Sequence, residues 1–132
     1  MKIIVCQECD NGNLDSRVVD AAIRKAVAMG DELIVVSSQM LDDRFHAKEK
    51  ATANQCLEVA RKKIELSGVK CKTILSVRGM EPREDIVKIA EENGVEEIYI
   101  GIKKRSKLGK ILIGSTTQYL ILKSPYTVVA VK

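Results

Sequence analysis

The 132-residue chain is 45% apolar and 30% charged, a balance that excludes a disordered segment and suffices for a core without metal or disulfide support. No apolar run reaches the roughly 20 residues of a membrane span, and the start "MKIIVCQECD" lacks the long apolar region of a secretory leader, so a cytoplasmic protein is expected. The net charge of +4 is local: without Lys103, Lys104, Arg105, Lys107 and Lys110, 17 basic residues stand against 18 acidic ones, which suits an anion site better than a surface that coats nucleic acid.

In chain order, residues 2 to 8 form an apolar run that reads as a strand, and "DNGN" at 10 to 13 is turn chemistry. From Leu14 to Met29 the residues Val19, Ala22, Ile23 and Ala26 recur at helical spacing, with Gly30 as C-cap. "LIVV" at 33 to 36 is a second strand. Residues 42 to about 67 put Ala53, Cys56, Leu57, Ala60 and Ile64 on one helical face, ending before Gly68. "CKTILSV" at 71 to 77 is a third strand. Pro82 opens a helix whose positive end suits Glu84 and Asp85, with Ile86, Ile89 and Ala90 as its apolar stripe. "EEIYI" at 96 to 100 is strand four, a helix runs from near Gly114 to about Lys123, and "YTVVAV" at 126 to 131 closes the chain. Continuous apolar strands alternating with helices predict one domain over residues 1–132, a three-layer α/β/α sandwich around a parallel sheet.

Between strand four and the last helix lies "GIKKRSKLGKILIGST", residues 101 to 116, with three glycines, five basic residues and no acid. In an open α/β sheet ligands bind beyond the carboxyl ends of the strands, and a helix N-terminus offers unpaired N–H groups to an anion. Gly101 at a strand end and Gly114-Ser115 at a helix start therefore read as a phosphate cradle, with Ser115 adding a hydroxyl. It is not a Walker loop, because no Gly-Lys-Ser/Thr follows a glycine at the required spacing. The bland alternative is a strand-end turn, a helix entry and solvated lysines between them.

Other chemistry is poorly served. The four cysteines, in a chain read as cytoplasmic, are expected to be reduced thiols. Cys6 and Cys9 form a Cys-x-x-Cys pair, but Cys6 continues a strand instead of opening a helix, and Cys56, Cys71 and His46 supply no second ligand pair; the pair is expected to be free and without metal. With His46 the sole histidine, no Ser-His-Asp set is possible, and no catalytic residue is assigned. The basic loop lacks interleaved aromatics and any nucleic-acid reading motif, which disfavours that partner class.

On these residues the chain resembles the universal stress proteins. Their signature G-x2-G-x9-G-[ST] falls on Gly101, Gly114 and Ser115, with Arg105, Ser106 and Leu108 matching common loop residues. "GDELIVVSS" at 30 to 38, "GMEPREDIVKIAEENGVEEIYIG" at 79 to 101 and "LKSPYTVVAVK" at 122 to 132 carry the likeness across nearly the whole chain. The resemblance implies an adenine nucleotide alpha hydrolase-like fold with strand order 3-2-1-4-5 and a small stress-response module. It implies ATP or a related adenine nucleotide, with or without magnesium, between strands one and four, held by Glu8, Ser38, Gly101, Lys104, Arg105, Gly114, Ser115 and Thr116. It also implies a homodimer through the C-terminal strand 126–131. Some members of the family bind no ATP, which leaves a dimeric protein-interaction module as the alternative. Two positions depart from the pattern: the second signature glycine is Lys104, and the usual Asp-Gly-Ser after strand one is Glu8-Cys9-Asp10.

Overall fold

The computed structural model describes residues 1–9, 13–40, 47–102, 109–110 and 112–132. The elements in chain order are β1 (Lys2–Cys6), α1 (Ser16–Met29), β2 (Glu32–Ser38), α2 (Ala47–Leu66), β3 (Cys71–Ser76), α3 (Pro82–Glu92), β4 (Glu97–Gly101), α4 (Ser115–Lys123) and β5 (Thr127–Val131). The sheet is parallel throughout and ordered β3-β2-β1-β4-β5, so the expected three-layer sandwich and strand order are observed.

Alternation along the strands splits the apolar residues between two cores. Ile3, Val5, Leu33 and Val35 point to the face covered by α1 and α2, where they meet Val18, Val19, Ala22, Leu57, Ala60 and Ile64. Ile4, Ile34, Val36, Ile98 and Ile100 point to the other face, against Ile86, Ile89 and Ala90 of α3 and Leu120 of α4. Because both faces are buried, the central strands read as unbroken apolar runs. Ile3, Ile4, Val5, Leu33 and Ile98 are fully buried, and each side chain of that size contributes about 1.5–3 kcal/mol.

The caps follow from local chemistry. Asp15 is the N-cap of α1, its carboxylate accepting from the Arg17 amide, and Gly30 closes the helix in the left-handed region at φ 74°, donating to Ala26 O. Pro82 begins α3, with Glu84 and Asp85 in its first turn. The expected start of α2 at residue 42 lies outside the described residues. Gly101, expected to follow β4, is its last residue.

One expectation is overturned. Cys9 and Cys56 form a disulfide, with Cα atoms 5.9 Å apart, so the cysteines are not all thiols and Cys9 is not free; Cys6 and Cys71 are. The periodicity that puts Cys56 on the inner face of α2 also aims it at the segment leaving β1, and both sulfurs sit in the buried core.

Candidate functional site

The strand order sets the position of the site. From β1 the chain moves outward to β2 and β3, then crosses to the opposite side of β1 to form β4, so the segments leaving β1 and β4 diverge. Such a switch point opens a crevice beyond the carboxyl ends of the strands. A cleft of about 900 Å³ lies there, crossing the ends of β2 (Val36, Ser38), β1 (Cys6, Gln7, Glu8) and β4 (Ile100, Gly101). The β2 and β4 ends, two strand spacings apart, are separated by about 10 Å. Asp15 and Arg17 of the α1 entry, Pro82 and Ile86 of α3 and Thr116 of α4 form its walls. A depression of about 660 Å³ at the amino ends of β1, β2 and β3, near Met1, Asp31 and Gly68, is not on this crevice.

At the β4 end the wall is a tight polar knot. Gln7 is buried, and its Oε1 accepts from the Asp15 amide at 2.9 Å while its Nε2 donates to Asp15 O at 3.4 Å. Asp15 in turn accepts from Arg17 Nε at 3.1 Å and Nη2 at 3.0 Å, and Arg17 Nη2 also reaches Ile102 O at 3.4 Å. The hydrogen bond to Asp15 and its charge hold Arg17 firmly in its cationic form at the cleft margin. A β-carbon on Gly101 would stand 2.8 Å from Asp15 Oδ2 and 3.1 Å from Val18 Cγ2, so the knot closes over a residue with no side chain.

At the β2 end the wall joins the apolar Val36 and Ile86 to two polar residues, Ser38 and Gln39, the Gln39 amide donating to Ser37 Oγ at 3.0 Å. Val36, Ile86 and Ile100 belong to the α3-side core, with Cys6 packed against it. Desolvation, with Glu8 nearby, pushes the Cys6 thiol up to about 12, so Cys6 is a neutral wall residue at physiological pH. Ser38 donates its hydroxyl hydrogen to Asp85 Oδ2 at 2.5 Å. The buried Asp85 carboxylate also pairs with Arg78 Nε at 2.5 Å, and Arg78 grips Glu92 through Nη2 at 2.8 Å and Nη1 at 3.3 Å. Hydrogen bonds to Glu92 and Asp85 raise the Arg78 guanidinium above its ordinary value.

Beyond β4 stands the start of α4. Gly114 is its N-cap at φ −67°, ψ 161°, a conformation any residue adopts, so glycine there is not required by the backbone. Gly114 has no side chain to cap this end and the first turn holds no acid, so among the described residues its first-turn N–H groups are able to meet an anion. Ser115 and Thr116 line a smaller adjoining cleft of about 410 Å³ with Pro82 and Arg83. Arg83 lies 5.2 Å above the Tyr119 ring and 3.0 Å from Glu81.

Of the residues read from the sequence, Glu8, Ser38, Gly101 and Thr116 line the main cleft, Ser115 lines the adjoining one, and Gly114 caps the helix between β4 and both. Lys104 and Arg105 lie outside the described residues. Sequence reasoning missed Gln7, Asp15, Arg17 and Asp85. Asp15 carried a signal, since Asp just ahead of an apolar-periodic segment is an N-cap signature. Asp85 was read only as a helix-end charge, and it is buried in contact with Arg78 and Ser38.

Comparisons with known proteins agree with this geometry. A profile described as "Usp: Universal stress protein family" matches residues 1–132. The universal stress protein MJ0577 of Methanocaldococcus jannaschii is 42% identical over 96 residues, covering 73% of this chain and 58% of the relative; the chain spans about half the length of the curated relatives it matches. Among solved structures, the universal stress protein from Archaeoglobus fulgidus superposes with a TM-score of 0.86 at 34% identity, covering 100% of this chain and 98% of the other. A structure of the universal stress protein from the same organism in complex with dAMP gives 0.81 at 30% identity, with the same coverage of both chains. The sheet order, the switch-point cleft and the profile match over residues 1–132 together make this chain a member of the universal stress protein family.

Proposed function

We propose that this protein is a regulatory module of the stress response that binds ATP or a related adenine nucleotide in the cleft between β1 and β4. The observation that carries the reading is the layout of the cleft: an apolar slot by Val36 and Ile86, Gly101 and Arg17 at the β4 end, two strand spacings or about 10 Å from the end of β2, and the start of α4 on the wall beside Pro82. A nucleotide has the same polarity, a flat base at one end and anionic phosphates at the other, and a cleft of about 900 Å³ is in the range of small-molecule sites. The dAMP complex of a relative 30% identical supports the ligand class. The residues fit the group: Val36 and Ile86 against the base, Glu8 toward the ribose, and the α4 start with Ser115 and Thr116 toward phosphate, magnesium accompanying a triphosphate. Lys104 and Arg105 add cations to the loop between.

The edge strand β5 pairs a second copy of the chain in this reading, and the module acts in the cytoplasm, where adenine nucleotides are held. Mass spectrometry of the denatured protein after purification tests the ligand. Recovery of an adenine nucleotide in near-stoichiometric amount is expected; no recovered nucleotide, and no heat on titration with ATP or AMP, would overturn the reading.

A further inference from the structure

The geometry points to Ser38, fixed by Asp85 and Arg78, as the residue that selects a 6-amino purine over a 6-oxo purine in this cleft. The inference rests on the nucleotide reading above and deepens it. It follows from counting hydrogens. Asp85 is buried with Arg78 Nε on its Oδ1, so it is a carboxylate with no hydrogen to give. In the 2.5 Å contact between Ser38 Oγ and Asp85 Oδ2 the hydrogen must therefore come from serine. A hydroxyl has one hydrogen, and this one is committed away from the cleft.

Ser38 nevertheless lines the cleft beside Val36 and Ile86, and what it still offers there is lone pairs. The wall at this point is an acceptor. Arg78 cannot readily turn away to release Asp85, because its other nitrogens hold Glu92 at 2.8 and 3.3 Å. Arg78 and Asp85 are positioning residues, and Ser38 makes the contact.

An acceptor facing carbon 6 of a purine favours an N–H at that position; the N1–H of a 6-oxo purine lies one ring atom away from it. Adenine presents an exocyclic amine at carbon 6, whereas hypoxanthine and guanine present a carbonyl oxygen whose lone pairs would face those of Ser38. A mismatched polar pair away from water forfeits the bond and leaves both groups unsatisfied, which sets the expected preference at about tenfold or more.

The test is calorimetric titration of AMP and IMP into the wild type, Ser38→Ala and Asp85→Asn, with circular dichroism to check folding. The wild type is expected to bind AMP at least about tenfold more tightly than IMP. Ser38→Ala should weaken AMP and leave IMP unchanged or improved, whereas a merely structural role would weaken both alike. In Asp85→Asn the amide oxygen must face Arg78, so its N–H2 faces Ser38, whose hydrogen is then free to meet a carbonyl; the AMP preference should shrink or reverse. If Asp85→Asn does not fold, the wild-type and Ser38→Ala ratios decide. Equal binding of AMP and IMP by the wild type overturns this inference and leaves the nucleotide reading standing. Binding of neither overturns both.

Discussion

Gly101 and Asp15, 86 positions apart, meet so closely that a β-carbon on the glycine would lie 2.8 Å from the Asp15 carboxylate. Asp15 cannot easily yield, since it caps α1, holds Arg17 through two contacts and receives Gln7 on its backbone. Val18, 3.1 Å away on the other side, is fully buried. The glycine is therefore demanded by packing under the α1 entry, whatever else it does for a ligand. Gly101→Ala should cost about 2 kcal/mol, from loss of the cap plus crowding in the core, and should weaken nucleotide by displacing Arg17. Thermal melting checks the first part and calorimetry the second; a melting temperature unchanged from wild type would contradict the packing role.

The same pair shows where the sequence stops being legible. Strand and helix identities, the sheet order implied by family resemblance and the location of the cleft could all be read, because each depends on residues near in sequence or on a pattern shared by the whole fold. Glu8, Ser38, Gly101 and Thr116, which the family resemblance implies as nucleotide contacts, line the switch-point cleft. The partners of these residues could not be read. Asp15 against Gly101, Asp85 beneath Ser38 and Cys9 against Cys56 are contacts between separate elements, and no local spacing encodes them. Gly101 was read for its approach to phosphate, and the nearer reason is the α1 entry. Lys104, the position most informative for ligand binding, lies outside the described residues.

The Cys9–Cys56 disulfide joins residues 47 positions apart. Constraining a loop of that length in the unfolded chain is worth about 4 kcal/mol in the chain-entropy account. Urea unfolding with and without dithiothreitol should therefore give a clearly lower midpoint for the reduced protein, and Cys56→Ala should abolish that difference. Thiol titration of the denatured, unreduced chain should find Cys6 and Cys71 alone. In the folded protein they should react slowly, because desolvation raises Cys6 to about 12 and Cys71 to about 11 and leaves little thiolate at neutral pH. Four titratable thiols in the unreduced chain would rule the bond out.

Acid should destabilise the protein in part through Asp31. This carboxylate is almost fully buried and takes the Met1 ammonium at 3.1 Å and Lys25 at 3.2 Å, while Lys25 also holds Glu97 at 2.9 Å. Desolvation alone would raise Asp31, but the hydrogen bonds and charges of Met1 and Lys25 outweigh it and hold the group below its ordinary value. A depressed carboxyl contributes stability that is fully present above the unfolded value, about 3.9, and is lost as pH falls through the lower folded value. Asp31→Asn should cost about 2 kcal/mol at pH 7 and flatten the acid limb of a stability-versus-pH curve measured by urea unfolding. An acid limb unchanged in the variant would assign the loss to other carboxylates.

Association should run through β5. The strand pairs with β4 on one side, and among the described residues no strand pairs with its other edge, along the half-buried Val128 to Val131, where another chain could add. On neighbouring α4, Ile121 and Leu122 are 47% and 76% exposed, apolar surface that a second copy could cover. Sedimentation at micromolar concentration should report a dimer, and amide exchange across Thr127–Val131 should slow as concentration rises. A monomer throughout, with β5 exchange independent of concentration, would exclude this interface.

Phosphate should be held by the ends of the 101–116 segment more than by its charge. Ser115 and Thr116 stand in the first turn of α4, behind an N-cap glycine with no side chain, where N–H groups have set positions, whereas the attraction of a lysine charge is weakened by salt. Gly114 takes a backbone conformation open to any residue, so Gly114→Val tests close approach of the ligand without imposing left-handed strain. It should abolish ATP binding while leaving the fold intact. Ser115→Ala should weaken ATP by about 1–2 kcal/mol, the scale of one hydrogen bond to a charged group, and neutralising Lys107 should matter less. Lys104 occupies the position where the family signature has glycine, and Lys104→Gly separates two roles. Tighter ATP in that variant identifies the lysine as an obstruction in the site; weaker ATP identifies it as a phosphate ligand, a role lysine commonly fills. Calorimetry on the variants measures all of these effects, and ATP binding by Gly114→Val equal to wild type would remove the α4 start from the site.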